Sequence, residues 1–240
     1  KPNWLDTKHS KIQIITHDQI LPASALPTFN SEAIETGLDN IPNLSEHFLY
    51  SNDDCFINRP IKPSYFFTRN GQPIIRLRDT NLDNIAEEFC PQCRTTKNTF
   101  ERIAQDYDIY LPFEPVHQID PYTKTYFKEC KNKYKSEFDK VAHLKFRNPN
   151  HFAQRNLIAL YMIAEKKCKY LLKHESLYLE INSEEVLSNA IKKKKPILLC
   201  INDSATVKNS NRKTLKKFLE KLYPNKQPYE IEWINKGGEF

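Results

Sequence analysis

Glycine is the scarcest common residue here: Gly37, Gly71, Gly237 and Gly238 are the whole supply in 240 residues. A glycine-rich phosphate cradle of the GxGxxG or GxxxxGK[ST] kind cannot be built from these positions. Rossmann dehydrogenases, P-loop NTPases and protein kinases are excluded on that ground. Any phosphate chemistry must rest on a metal, Arg, Lys or His. No apolar run approaches the ~20 residues that a membrane-spanning helix needs. No secretory signal pattern, internal repeat or low-complexity linker is visible.

Cysteine is present but not as a framework. Cys168 and Cys200 sit in apolar runs and read as small core residues. Cys90 and Cys93 form a single CxxC. Zinc needs about four ligands, and no second CxxC or HxxxH pair follows. This motif is read as a loop with two thiols. The setting is expected to be reducing and cytoplasmic.

What remains is an ordinary globular composition. Lys+Arg is 36 against Asp+Glu 30, a net charge of +6, too mild for a nucleic-acid-coating chain. With 12% aromatics the chain can bury a core and is not disordered. The length fits one large domain or two small ones, and residues 1–240 are read as one.

Along the chain, Lys11–Thr16 reads as a strand by its β-branched content, ending at His17-Asp18. Asn30 or Ser31 can cap a helix carrying Ile34, Leu38 and Ile41, which Pro42 stops. His47–Tyr50 is an extended apolar run that ends in Asn52-Asp53-Asp54. Residues 79–109 look helical, interrupted by Pro91, and the proline-rich 110–126 looks like a loop. A long core helix is expected from Asn150 to about Lys173, then a strand at Leu177–Ile181 and a helix capped by Ser183. Pro196–Ile201 is a continuous apolar strand ending in Asn202-Asp203, and Arg212–Tyr223 is a basic helix. Strands alternating with helices predict an α/β fold, a mixed and mainly parallel sheet with helices on both faces. If the two strands that end in Asn-Asp are neighbours, their carboxylates meet at one sheet edge, where a divalent cation would be at home.

These residues also form a pattern. His17-Asp18-Gln19-Ile20-Leu21-Pro22 is followed by Leu26-Pro27-Thr28-Phe29-Asn30-Ser31 and Ala33-Ile34-Glu35. Ile41-Pro42, Leu44-Ser45-Glu46, Phe48, Tyr50 and Asn52-Asp53-Asp54 continue it. This resembles the second motif block of the Stealth family of hexose-1-phosphoryltransferases. That family contains bacterial capsular polysaccharide phosphotransferases and the animal enzyme that tags lysosomal glycoproteins with GlcNAc-1-phosphate. His117 among prolines resembles the third block, although Gln118 and Ile119 stand where a nearby proline is usual. Arg147 resembles an arginine of that region, and Cys200-Ile201-Asn202-Asp203 resembles the short fourth block. The family's first block, a Tyr-Thr-Trp-Val-Asp-Gly type of strand end, has no counterpart. The chain is therefore expected to be part of a longer protein.

The resemblance implies a nucleotide-sugar-transferase-like fold and a reaction. A sugar-1-phosphate passes from a UDP-sugar to an acceptor hydroxyl, a phosphodiester forms, and UMP leaves. It implies Mg²⁺ or Mn²⁺ held by Asp54 and Asp203, with catalytic roles for His117 as base, Arg147 on phosphate and Asp53. Substrate contacts are expected from His17, Asp18, Asn30, Ser31, Glu35, Asn52 and Asn202. Each of these residue types also has an ordinary use as a cap, a turn or a solvated charge.

The partners expected are a UDP-sugar and an anionic capsule oligosaccharide, with no nucleic acid. Self-association is left open. Lys192–Lys195 with Lys208, Arg212, Lys213, Lys216, Lys217 and Lys221 make a basic surface. A solvated face is its default use; a polyanionic acceptor or anionic lipid at the inner membrane is the functional one. The alternatives to phosphotransfer are a metal-dependent glycosyltransferase and an inactive glycan-binding module.

Overall fold

A computed structural model describes residues 2–79, 91–172, 175–182, 184–204 and 206–231. The α/β class is as expected, and the strands divide among three short sheets. β1 (His47–Tyr50) pairs antiparallel with β5 (Asp120–Thr123). β2 (Cys55–Ile57) and β7 (Ser176–Glu180) flank β8 (Leu198–Asn202), antiparallel and parallel respectively. β4 (Phe113–Pro115) and β6 (Lys169–Leu171) flank β3 (Ile74–Asp79) in the same mixed way.

Seven α-helices are described: α1 (Ser31–Glu35), α2 (Pro91–Tyr107), α3 (Lys124–Lys133), α4 (Lys135–Ala142), α5 (Gln154–Ala164), α6 (Glu184–Lys194) and α7 (Asn209–Leu222). The main core forms where α5 lies against α2 and α3, with Phe127, Phe138, Leu157, Ile158, Leu160 and Met162 almost wholly enclosed. Burying each such side chain is worth about 1.5–3 kcal/mol. A smaller core under β7 and β8 takes Phe218 and Leu215 from the apolar side of α7.

Several expectations change. Lys11–Thr16 forms no strand: it is irregular and leads into a single 3₁₀ turn at His17–Gln19. Residues 110–126 are not one loop, since β4, β5 and the start of α3 lie within them. α2 is described from Pro91, whose fixed φ and missing N–H suit a first helical turn, and residues 80–90 before it lie outside the described residues. Cys93 thus lies in a helical turn, not a loop, and it is disulfide-bonded. Cys90 and Ser183 lie outside the described residues.

The long core helix also ends early, at Ala164. Lys166 takes φ +56°, while Lys166 N–H donates to Ile163 O at 3.0 Å and Lys167 N–H to Met162 O at 2.8 Å. That paired closure is a Schellman stop, here made by a lysine in place of the usual glycine. It frees residues 169–171 to run parallel to β3.

Candidate active site

Asp54 closes the turn between β1 and β2. Its backbone carbonyl accepts from Ile201 N–H at 2.8 Å, which extends the pairing of β2 with β8 by one step. Cys55 and Cys200 are register partners in that pairing. The Asp54 carboxylate consequently lies over both thiols. Cys55 Sγ is 3.4 Å from Oδ1 and Cys200 Sγ is 3.2 Å from Oδ2. His117 enters from the segment between β4 and β5 and places Nε2 3.5 Å from Asp54 Oδ2.

His117 is held by its chain neighbours, and those are held by Arg155. The Arg155 guanidinium donates to Val116 O on one side of His117 and to both oxygens of Asp120 on the other. Arg155 stands on the first turn of α5. Ala153 begins that helix and has no side-chain oxygen to cap it; its N–H donates instead to Thr99 Oγ1 on α2, at 3.0 Å. Asn156 Nδ2 donates to Thr96 Oγ1 at 3.1 Å. A threonine face on α2 therefore fixes the start of α5, which fixes Arg155, which fixes His117.

The electrostatics follow from this packing. Burial, and then the Arg155 guanidinium, push the His117 imidazole below its usual range, against the pull of Asp54. Burial opposes the charge on Arg155, but Asp120 more than offsets this and holds the guanidinium above its ordinary value. Glu35 is buried on α1, where desolvation raises its carboxyl to about 7 and the hydroxyl of Tyr50, donating to Oε1 at 3.0 Å, pulls the other way.

The predicted residues fall into separate places. His117 and Asp54 meet. Asn30 caps α1, its Oδ1 accepting from Glu32 N–H at 3.2 Å, and Arg147 donates to Ser31 Oγ at 3.0 Å. Phe29 and Phe146, both exposed, stack beside that pair with centroids 5.6 Å apart. His17 and Asp18 are exposed on their 3₁₀ turn, and Asp53 is exposed in the turn before β2. Asn52 is half-buried, and Asn202 ends β8 with its carbonyl accepting from Ile181 N–H at 3.0 Å.

Asp203 is not in the Asp54 group. It is exposed and held by Arg212 through Nε at 2.8 Å and Nη2 at 3.0 Å. The Asn-Asp strand ends meet differently from the expectation, because β1 pairs with β5 and it is β2 that pairs with β8. Among the described residues no second carboxylate joins Asp54 in that group; its partners there are two thiols and an imidazole.

Sequence reading passed over Arg155 and Asp120. Their one signal is an arginine near the head of an otherwise apolar helix, where a charge needs a buried partner. It also passed over Cys55. The group formed by Asp54, Cys55, His117 and Cys200, with ligand atoms within 4.8 Å of one another, is a candidate metal site. Its donors are two sulfurs, one nitrogen and one carboxylate. That set does not suit Mg²⁺, which takes oxygen ligands in an octahedron.

No helix among the described residues is long and apolar enough to cross a membrane. Residues 1–75 match the model of Stealth conserved region 2. Over 221 residues the chain is 31% identical to a capsular polysaccharide phosphotransferase of Haemophilus influenzae, covering 87% of this chain and 60% of that protein. It is 29% identical over 263 residues to an exopolysaccharide phosphotransferase of Lactiplantibacillus plantarum, covering 97% and 76%. It is 30% identical over 220 residues to a capsular polysaccharide phosphotransferase of Neisseria meningitidis serogroup B, covering 86% and 58%. The chain thus spans about 60% of the length of two of these three relatives. Residues 1–75 thus match a Stealth region, and most of the chain is similar to capsular and exopolysaccharide phosphotransferases.

Proposed function

We propose that this chain carries catalytic machinery of a hexose-1-phosphate transferase in capsular polysaccharide synthesis, working at the cytoplasmic side of the membrane. The donor is a UDP-sugar and the acceptor is a sugar hydroxyl on a growing anionic oligosaccharide. The observation that carries this reading is the His117–Asp54 pair, 3.5 Å apart, made by two family-motif residues and fixed by buried Arg155.

The step is a substitution at the phosphorus that bears the sugar. The acceptor oxygen forms a new P–O bond, the bond to UMP breaks, and the acceptor's proton passes to His117. A neutral imidazole can take that proton, and the Asp54 carboxylate stabilises the imidazolium that results. In this reading Arg147 meets the charge on the donor phosphates, as a guanidinium can do bidentately. Mg²⁺ or Mn²⁺ is assigned to the donor's pyrophosphate on the resemblance, with exposed Asp53 or Asp203 to supply a carboxylate; bound there it would neutralise phosphate charge. Asn30, Ser31, Glu35, Asn52 and Asn202 are assigned to sugar and phosphate contacts. His17 and Asp18 remain assigned to substrate contacts on the resemblance alone. The basic residues of α6 and α7 are assigned to the polyanionic acceptor or to anionic lipid.

The test is product chemistry. The full-length protein, given Mg²⁺, a panel of UDP-sugars and a capsule oligosaccharide, is expected to release UMP and to leave a phosphodiester in the product. Release of UDP with a glycosidic product would replace this reading by a glycosyltransferase.

A further inference from the structure

We propose that Asp54, Cys55, His117 and Cys200 bind a thiophilic divalent cation of the Zn²⁺ class, and that the bound ion switches the transferase off. The switching part rests on His117 being the base; the binding part does not.

The donors are gathered by pairing rather than by a sequence motif. Cys55 and Cys200 face each other across antiparallel strands, and both thiols are free. One ligand atom from each of the four residues lies within 4.8 Å of the rest. Tetrahedral zinc, with bonds of roughly 2.0 Å to nitrogen and 2.3 Å to sulfur, sets its ligand atoms roughly 3.3–3.8 Å apart. Cys200 Sγ and His117 Nε2 stand 3.2 and 3.5 Å from the same oxygen, Asp54 Oδ2, near that range, and Cys55 Sγ is 3.4 Å from Oδ1. The remaining spacings, all within 4.8 Å, would have to close by side-chain rotation on binding.

Access is also in place. The side chains of Asp54 and His117 are 20% and 27% exposed, while Cys200 is buried behind them. An ion can therefore arrive from solvent and end with its sulfur ligands on the protein side. Two thiolates and an imidazole select Zn²⁺ and its neighbours over Mg²⁺, which dehydrates reluctantly and binds oxygen. On binding, two S–H bonds are replaced by two Zn–S bonds, and two protons pass to water. The carboxylate and the imidazole lone pair become ligands. His117 then has no lone pair to accept the acceptor's proton, so bound zinc and catalysis exclude each other.

Co²⁺ is the probe, since a tetrahedral cobalt–thiolate centre has sulfur charge-transfer absorption and intense visible bands that cobalt in water lacks. The chain, reduced and freed of metal, is expected to develop these bands with one equivalent of Co²⁺ and to lose them when Zn²⁺ is added. The Cys55→Ser/Cys200→Ser variant, checked for an unchanged circular dichroism spectrum, is expected to develop none. No thiolate bands in the parent chain, or full bands in the variant, would overturn the binding site. In the full-length enzyme, stoichiometric Zn²⁺ is expected to reduce turnover at least tenfold, chelation is expected to restore it, and the cysteine variant is expected to resist it. Cobalt bands with no effect of zinc on turnover would overturn the switch, whereas absent turnover with cobalt bands intact would count against the transferase reading and not against the metal.

Discussion

Arg155 Nη2 sits 2.8 Å from Asp120 Oδ1, and both side chains are more than four-fifths enclosed. Removing one member of such a pair leaves an uncompensated buried charge. Arg155→Ala is expected to destabilise the fold by about 3–5 kcal/mol, read from urea unfolding. Arg155→Met combined with Asp120→Leu is expected to cost far less, because no charge is then stranded. Equal losses in the single and double variants would mean that the pair acts by shape and not by charge.

The positioning of His117 makes a separate prediction. His117→Ala is expected to lower kcat by roughly 10²–10⁴-fold, the range for loss of a general base. Asp54→Asn keeps the size of the side chain but removes the charge that stabilises the imidazolium, so kcat falls with little change in KM. Retained kcat in both variants would remove the dyad from the mechanism.

Glu35 predicts how stability depends on pH. Its buried carboxyl is raised from 4.5 to about 7, so the folded state holds a proton that the unfolded chain gives up at lower pH. That contribution is complete below pH 4.5 and fades as pH rises through about 7. A rise from 4.5 to about 7 corresponds to roughly 3 kcal/mol. Glu35→Gln is expected to gain stability relative to the parent between pH 5 and pH 8, measured as the difference in unfolding midpoints. A constant difference across that range would contradict the burial argument.

Phe29 and Phe146 predict a binding effect. They stack in the open, 67% and 64% exposed, next to the Arg147–Ser31 contact. Such a flat apolar face beside a guanidinium suits a sugar ring or a base on a phosphate-bearing substrate. Phe146→Ala is expected to raise KM for donor or acceptor several-fold with kcat within about twofold, and to leave the unfolding midpoint nearly unchanged because little area is buried there. An unchanged KM for both substrates would make the pair a local packing feature only.

Local features were legible in the sequence because local chemistry makes them. Asn30 caps α1 by accepting a neighbouring N–H, and His47–Tyr50, Leu198–Asn202 and the basic α7 form where apolar runs and helical spacing lead one to expect them. The early end of α5 was not legible, because Lys166 has no general preference for positive φ and adopts it where the parallel pairing of β6 with β3 requires the chain to turn.

The sequence by itself determined the α/β class, the Stealth motif residues and the absence of any glycine phosphate loop. Only the tertiary structure decided who meets whom at the site. Asp54 and Cys200 are 146 positions apart, and the contact between them exists because β2, not β1, pairs with β8. Strand pairing at such separation is set by which faces can be buried together, and it leaves no periodicity in either segment. The same holds for Arg155, whose helix start is capped by a threonine from α2 and whose charge is answered from β5. Residue types supplied the candidate donors, and the packing of distant segments turned a carboxylate, an imidazole and two thiols into one cluster.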